Sequence, residues 1–164
     1  EIHSIAAPER YELRRPYLWR FWNKLNDGGK ITIFDRTWYG RVLVERIEGF
    51  ASVVEWQRAY HEINRFEENL VDSQTVIVKI WLAISKDEQE IRFKDREQTP
   101  HKRFKITEED WRNRDKWDDY LNAAADMFER THTDYAPWYV ISTDDKNTAR
   151  IEVLKAILKQ LKAG

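Results

Sequence analysis

An apolar, β-branched run, Ile31-Thr32-Ile33-Phe34, ends in Asp35-Arg36. Phosphoryl-transfer sites use a carboxylate at the C-terminal tip of a strand to hold Mg²⁺, directly or through water. An arginine beside it can grip a phosphate through two parallel hydrogen bonds. A plainer reading stands next to this one: Asp35 caps the following helix and Arg36 pairs nearby. A second constellation runs Arg92-Phe93-Lys94-Asp95-Arg96 and then His101-Lys102-Arg103-Phe104-Lys105. Between Arg92 and Lys105 there are six Lys/Arg against two Asp/Glu, a local excess of +4. Arg92 and Arg96 sit four residues apart and share a helix face. A mobile basic segment after a strand suits closure over a chain of phosphates. The alternative is a solvated helix laced by pairs such as Glu88 with Arg92. A third group, Ser142-Thr143-Asp144-Asp145-Lys146, either contacts a base or ribose or simply caps a helix.

Other chemistries lack their residues. The four histidines (His3, His61, His101 and His132) show no metal-ligand spacing. There is no Gly-x-Ser-x-Gly elbow, no Gly-x-Gly-x-x-Gly and no Gly-x-x-x-x-Gly-Lys-Ser/Thr phosphate loop. Gly29-Lys30 precedes a strand pattern, so it places no amide donors at a helix N-terminus. With no cysteine among the 164 residues, disulfides and thiolate chemistry are excluded.

These residues need elements to hold them. Ile2 to Ala7 and Lys30 to Phe34 read as strands around a helical face of Leu18, Phe21, Trp22 and Leu25 and a turn at Asn26-Asp27-Gly28-Gly29. Arg41 to Phe50 and Val54 to Leu70 read as helices. Thr75 to Ile84 is the strongest strand pattern. Ser85 with Glu88 matches a capping box, and Thr107 with Asp110 repeats it loosely before a helix over Trp111 to Thr131. Trp138 to Ser142 is the last strand. Asp144 or Asp145 caps a final helix whose Ile151, Leu154, Leu158 and Leu161 form an apolar stripe. Strands alternating with helices predict an α/β fold with a parallel sheet covered on both faces. Ligands in such sheets bind beyond the C-terminal strand ends, where Asp35, Ser85 to Lys105 and Thr143 to Lys146 fall.

Composition narrows the classes further. The chain is 41% hydrophobic and 35% charged, with 28 Lys/Arg, 29 Asp/Glu and a formal net charge of -1. The balance gives no support to nucleic-acid binding. No apolar stretch approaches the roughly 18 residues of a membrane span, and the start, EIHSIAAPERYELRR, lacks the pattern of a secretory leader. A cytoplasmic location is the expectation. Residues 1–164 read as one domain, and the eight tryptophans supply bulk for a core.

At FDRTWYGRVLVERIEGF (Phe34 to Phe50) the sequence resembles the polyphosphate kinase 2 family. Further matches run nearly end to end: YLWRFW (Tyr17 to Trp22), KIWLAISKDEQEIRF (Lys79 to Phe93), HKRFKIT (His101 to Thr107), WDDY (Trp117 to Tyr120) and APWYVISTDDKNTAR (Ala136 to Arg150). The resemblance implies a P-loop kinase-like fold with a helical lid, here over about residues 86–118. It implies Mg²⁺-dependent phosphoryl transfer between inorganic polyphosphate and a nucleotide, AMP or ADP. Asp35 matches the Walker B aspartate and Arg36 its phosphate-binding neighbour. Arg96 matches a lid arginine. Lys102, Arg103 and Lys105 match the basic stretch that follows the polyphosphate, and Arg92 is a further candidate contact to it. Arg41, Asp145 and Lys146 are weaker candidates for the nucleotide. Trp38 to Arg41 looks closest to members that phosphorylate nucleoside monophosphates, often with two fused copies of the domain. The family's first strand, phosphate loop and following helix should precede Ile2, so a larger, homo-oligomeric protein is expected and this segment alone should be inactive. The competing expectation is a non-catalytic polyanion-binding or oligomerising copy.

Overall fold

The computed structural model of the chain describes residues 1–106 and 108–163, with the side chains at 102, 105, 108 and 109 outside that description. Thr107, expected to cap a helix, lies outside the described residues as well. Two pairs of parallel strands form, one in each of two units: Glu1–Thr75 with Asn122–Thr131, and Val76–Leu121 with His132–Gly164.

In the first unit β1 (Ile2–Ser4) runs parallel to β2 (Ile33–Asp35), with Ser4 opposite Asp35. The crossover carries a 3₁₀ turn, Glu12–Arg14, and one α-helical turn, α1 (Trp19–Trp22). After β2 come a 3₁₀ turn, Trp38–Val42, a short α2 (Val44–Ile47) and the long α3 (Val53–Asp72). α3 starts where it does because Ser52 and Glu55 close a full capping box, the Glu55 carboxylate accepting from the Ser52 amide at 2.8 Å. Ala59, Tyr60, Ile63, Phe66 and Leu70 recur every three or four residues and are buried. Ala123, Ala124 and Met127 of α6 (Trp117–Thr131) join this core. Phe66 touches Trp38 and Trp22 edge-on at centroid distances of 4.8 and 4.6 Å, and Phe21 and Phe34 complete the aromatic floor around Trp38. Burying each such side chain contributes about 1.5–3 kcal/mol.

In the second unit β3 (Lys79–Ala83) pairs in parallel with β4 (Trp138–Ser142), Lys79 opposite Trp138 and Ala83 opposite Ser142. α7 (Lys146–Ala163) lays Ala149, Val153 and Ala156 against Tyr139, Ile141 and Ile80. α4 (Lys86–Gln98) follows β3 directly and leads through a 3₁₀ turn, Pro100–Lys105, to α5 (Glu108–Asp115). α5 is fastened to α4 by Arg114, which donates to the Lys86 carbonyl and the Glu90 carboxylate, both at 2.6 Å, and by Trp111 edge-on to Phe93 at 5.1 Å.

The alternating strands and helices are as expected, and both strand pairs are parallel. Among the described residues each pair stops at two strands, so the single larger sheet is not formed within them. Nor are the strands buried on both faces: Ile2, Ile33, Leu82 and Val140 are each more than half exposed. The expected helix over Arg41 to Phe50 is broken, because Leu43 adopts φ -112°, ψ -100° and Gly49 turns left-handed at φ 73°. The expected Trp111 to Thr131 helix divides at Lys116. The stripe Ile151, Leu154, Leu158 and Leu161 does form along one side of the last helix, and it is exposed. α7 approaches its strands with its small-residue face, where two alanines let the backbones come close. No helix among the described residues is long and apolar enough to cross a membrane.

Candidate functional site

β2 delivers Asp35 and Arg36 to the surface at the C-terminal end of a parallel pair. The Asp35 carbonyl accepts from the Ile5 amide at 2.9 Å, and its carboxylate lies 3.5 Å from the Ser4 hydroxyl of the neighbouring strand tip. Arg36 then takes φ 63°, a left-handed conformation that L side chains avoid and that costs on the order of 1–2 kcal/mol. The twist turns the chain out of the strand. Thr37 returns to an extended conformation and caps the 3₁₀ turn, its hydroxyl accepting from the Tyr39 amide at 3.2 Å. Capping therefore falls to Thr37, and the plainer reading of Asp35 as a helix cap does not hold. Among the described residues Arg36 makes no hydrogen bond or ion pair, so its guanidinium is available to an anion.

Beneath this exposed pair the turn is pinned. The Glu67 carboxylate of α3, fully buried, accepts from the Trp38 indole N–H at 2.9 Å and from the Tyr39 hydroxyl at 2.7 Å. Burial first, and the Glu67 charge second, push the Tyr39 hydroxyl far above the ordinary tyrosine range, so it stays a donor. Sequence reading passed over Glu67. The available signal was an acidic residue set into the buried stripe of Ile63, Phe66 and Leu70.

Arg41, a nucleotide candidate, is half-buried at the end of the same turn. Its guanidinium lies over the Tyr17 ring at 4.5 Å, 2.9 Å from the Glu45 carboxylate and 3.7 Å from that of Glu55. Burial raises the Glu45 carboxyl above its usual range against the pull of Arg41. Hydrogen bonds from Ser52, with Arg41 contributing less, lower Glu55. Asp35, Arg36 and Arg41 thus lie on one segment, with Arg41 engaged by Tyr17, Glu45 and Glu55.

The basic candidates belong to the other unit. Ser85 caps α4 by accepting from the Glu88 amide at 3.2 Å, but the reciprocal half of the expected capping box is missing. The Ser85 amide donates to Asp144 instead, at 2.9 Å. Glu88 is drawn to Arg92 at 2.7 Å. Arg92 also donates to the Thr143 and Asp144 carbonyls, so it ties α4 to the loop after β4. Arg96 sits with its guanidinium 6.0 Å from the Phe93 ring centre. Arg103 is exposed and donates to the Glu97 carbonyl at 2.7 Å. The side chains of Lys102 and Lys105 lie outside the described residues. Asp145 caps α7 by accepting from the Thr148 amide at 2.7 Å, and its bonds to Thr148 lower its carboxyl below the usual range. Lys146 is exposed.

Among the described residues no group of three or more His, Asp or Glu could hold a metal by itself. A single exposed carboxylate with a hydroxyl beside it, as at Asp35 and Ser4, fits a hard cation that keeps its waters and shares phosphate oxygens. It does not fit a dedicated protein cage.

The sequence matches a family model described as Polyphosphate kinase 2 (PPK2) over residues 1–164. The chain is 80% identical over 163 residues to a polyphosphate:AMP phosphotransferase of Acinetobacter johnsonii, covering 99% of this chain and 34% of that protein. It is 36% identical to an ADP-polyphosphate phosphotransferase of Pseudomonas aeruginosa, covering 98% of this chain and 53% of that one. A crystal structure described as a polyphosphate kinase 2, from Pseudomonas aeruginosa PA01, matches with a TM-score of 0.96 at 56% identity, over 99% of this chain and 35% of the other. The chain therefore spans about a third of the length of the first curated relatives it matches.

Proposed function

We propose that this chain, which belongs to the polyphosphate kinase 2 family, carries the strand-tip acid and base-of-lid cations of an enzyme that moves a phosphoryl group from inorganic polyphosphate to AMP. The observation that carries the reading is the exposed Asp35–Arg36 pair at the C-terminal end of β2, with the arginine in a left-handed backbone conformation. AMP is favoured over ADP because the 80% identical relative is named for AMP and the ADP relative is 36% identical.

Phosphoryl transfer asks little covalent chemistry of a protein and much positioning and charge neutralisation. Asp35, with Ser4 beside it, would hold Mg²⁺. When bound, that ion neutralises charge on the phosphates it shares. Arg36 binds a phosphoryl oxygen pair side-on. Arg41, held by Glu45 and Glu55, faces the acceptor nucleotide, and Asp145 and Lys146 are further, weaker contacts to it. Residues 86–118 act as the lid, with Arg96 on the reacting phosphates and Arg92, Lys102, Arg103 and Lys105 along the donor chain. Closure excludes water and so prevents hydrolysis of the donor. The phosphate loop and its lysine come from elsewhere in the intact protein, which folds as a P-loop kinase with residues 1–164 in one domain. It works as a cytoplasmic homo-oligomer without nucleic acid or membrane.

The test uses the intact protein with AMP as acceptor and either polyphosphate or ATP as donor. ADP formation from polyphosphate, with Mg²⁺ present and not after chelation, supports the reading. Transfer from ATP alone would replace it with an ordinary nucleotide kinase.

A further inference from the structure

Asp35 and Arg36 are exposed, yet the direction in which they point is set from below. Only two residues, Arg36 and Thr37, separate the strand tip at Asp35 from Trp38 in the buried floor, and the first of them is held left-handed at φ 63°. That conformation is unfavourable by itself, so something downstream must hold it. Both side chains that follow Thr37 end on the same oxygen of Glu67, Oε1, which accepts from Trp38 at 2.9 Å and Tyr39 at 2.7 Å. Trp38, Tyr39 and Glu67 are all buried, with Glu67 fully enclosed. Trp38 is also boxed by Phe21, Phe34 and Phe66. A carboxylate placed in a stripe of Ile63, Phe66 and Leu70 is an expensive choice for packing alone, where a leucine of similar volume would serve.

The geometry points to Glu67 as a positioning residue. Through Trp38 and Tyr39 it fixes the turn that holds Arg36 left-handed, and so aims the Asp35–Arg36 pair at the phosphoryl group. This rests on the function proposed above and adds a residue that never touches substrate. If the anchor is lost, the turn can relax towards right-handed geometry at Arg36 and the pair swings away. Displacements near 1 Å at such a group lower turnover by about 100-fold.

The experiment is a variant series in the intact protein, with kcat and KM for AMP from polyphosphate and melting temperature read on each. Glu67→Leu is expected to lower kcat about 100-fold while KM for AMP moves less than about threefold. Glu67→Gln keeps the accepting oxygen and should recover most of that loss. Ile63→Ala, one turn earlier on α3 and with an apolar side chain that bonds neither donor, serves as the stability control and should keep its kcat despite a lower melting temperature. Tyr39→Phe in the Glu67→Leu background should cost less than it does in the wild type, because the hydroxyl's bond to Glu67 is already gone. A kcat in folded Glu67→Leu that equals wild type, or that falls only as far as in Ile63→Ala, overturns the assignment. If Glu67→Leu does not fold, Tyr39→Phe alone decides: a fall of about tenfold supports it, and an unchanged kcat overturns it. A wild-type protein that transfers nothing from polyphosphate defeats the functional reading instead. The anchor then still has its own readout, hydrogen exchange of the Trp38 indole N–H, slow in wild type and fast in Glu67→Leu, with equal rates overturning it.

Discussion

The turn after β2 and the basic segment from α4 to α5 both present cations at the surface, but they are built in opposite ways. The turn stands on a buried aromatic floor and a buried carboxylate, and it leaves Arg36 without a protein partner among the described residues. The basic segment is tied together from above: Arg92 is spent on Glu88 and two loop carbonyls, Arg103 on the Glu97 carbonyl, and Lys94 and Arg114 on Glu90. The first arrangement fixes a direction before any anion arrives. The second holds the cations named here on carboxylates and carbonyls of its own unit, and at an exposed pair such as Lys94 with Glu90 the bond contributes little and is easily exchanged for a phosphate. On the proposed function, the first region would meet the reacting group and the second a long, repetitive chain that needs no single geometry.

Substitutions can break this contrast, and the largest effect is expected at the tip of β2. Asp35→Asn should lower polyphosphate-dependent turnover about a thousandfold with the melting temperature unchanged, and near-normal turnover would remove Asp35 from the chemistry. Next comes the floor. Phe66→Ala should destabilise the protein by about 3–5 kcal/mol in denaturant titration, and a loss under 1 kcal/mol would mean the floor is not what supports the turn. Arg92→Ala should cost about 1–2 kcal/mol of stability, since it strips partners from Glu88 and two carbonyls. Arg96→Ala should lower turnover about tenfold with stability changed by less than about 0.5 kcal/mol. If Arg92→Ala instead left stability intact and Arg96→Ala unfolded the protein, their two roles would be exchanged.

Much of this was legible in the residues. β4 was bounded correctly, α3 nearly so, and a strand ending in Asp35-Arg36 could be read directly from its β-branched run. What could not be read depended on choices the sequence leaves open. Asp35 and Thr37 are both good caps, and only the left-handed step at Arg36 decides between them. Asp144 and Asp145 were likewise equivalent until Asp144 turned to the Ser85 amide and left the cap to Asp145. Periodicity showed that Ile151, Leu154, Leu158 and Leu161 share a face of α7, but not which face meets β4, and two alanines gave a weaker signal than four large aliphatics. Glu67 was hidden because an acidic residue on a long helix reads as solvated, and its two donors lie 28 and 29 residues earlier in the chain.

The left-handed backbone at Arg36 sets up a conflict between two kinds of selection. Glycine or asparagine would sit at φ 63° with less strain, and a library screened for heat resistance alone should enrich them at position 36. A library screened for turnover should keep arginine. Opposite enrichment in the two survivor pools would show that this position trades stability for turnover.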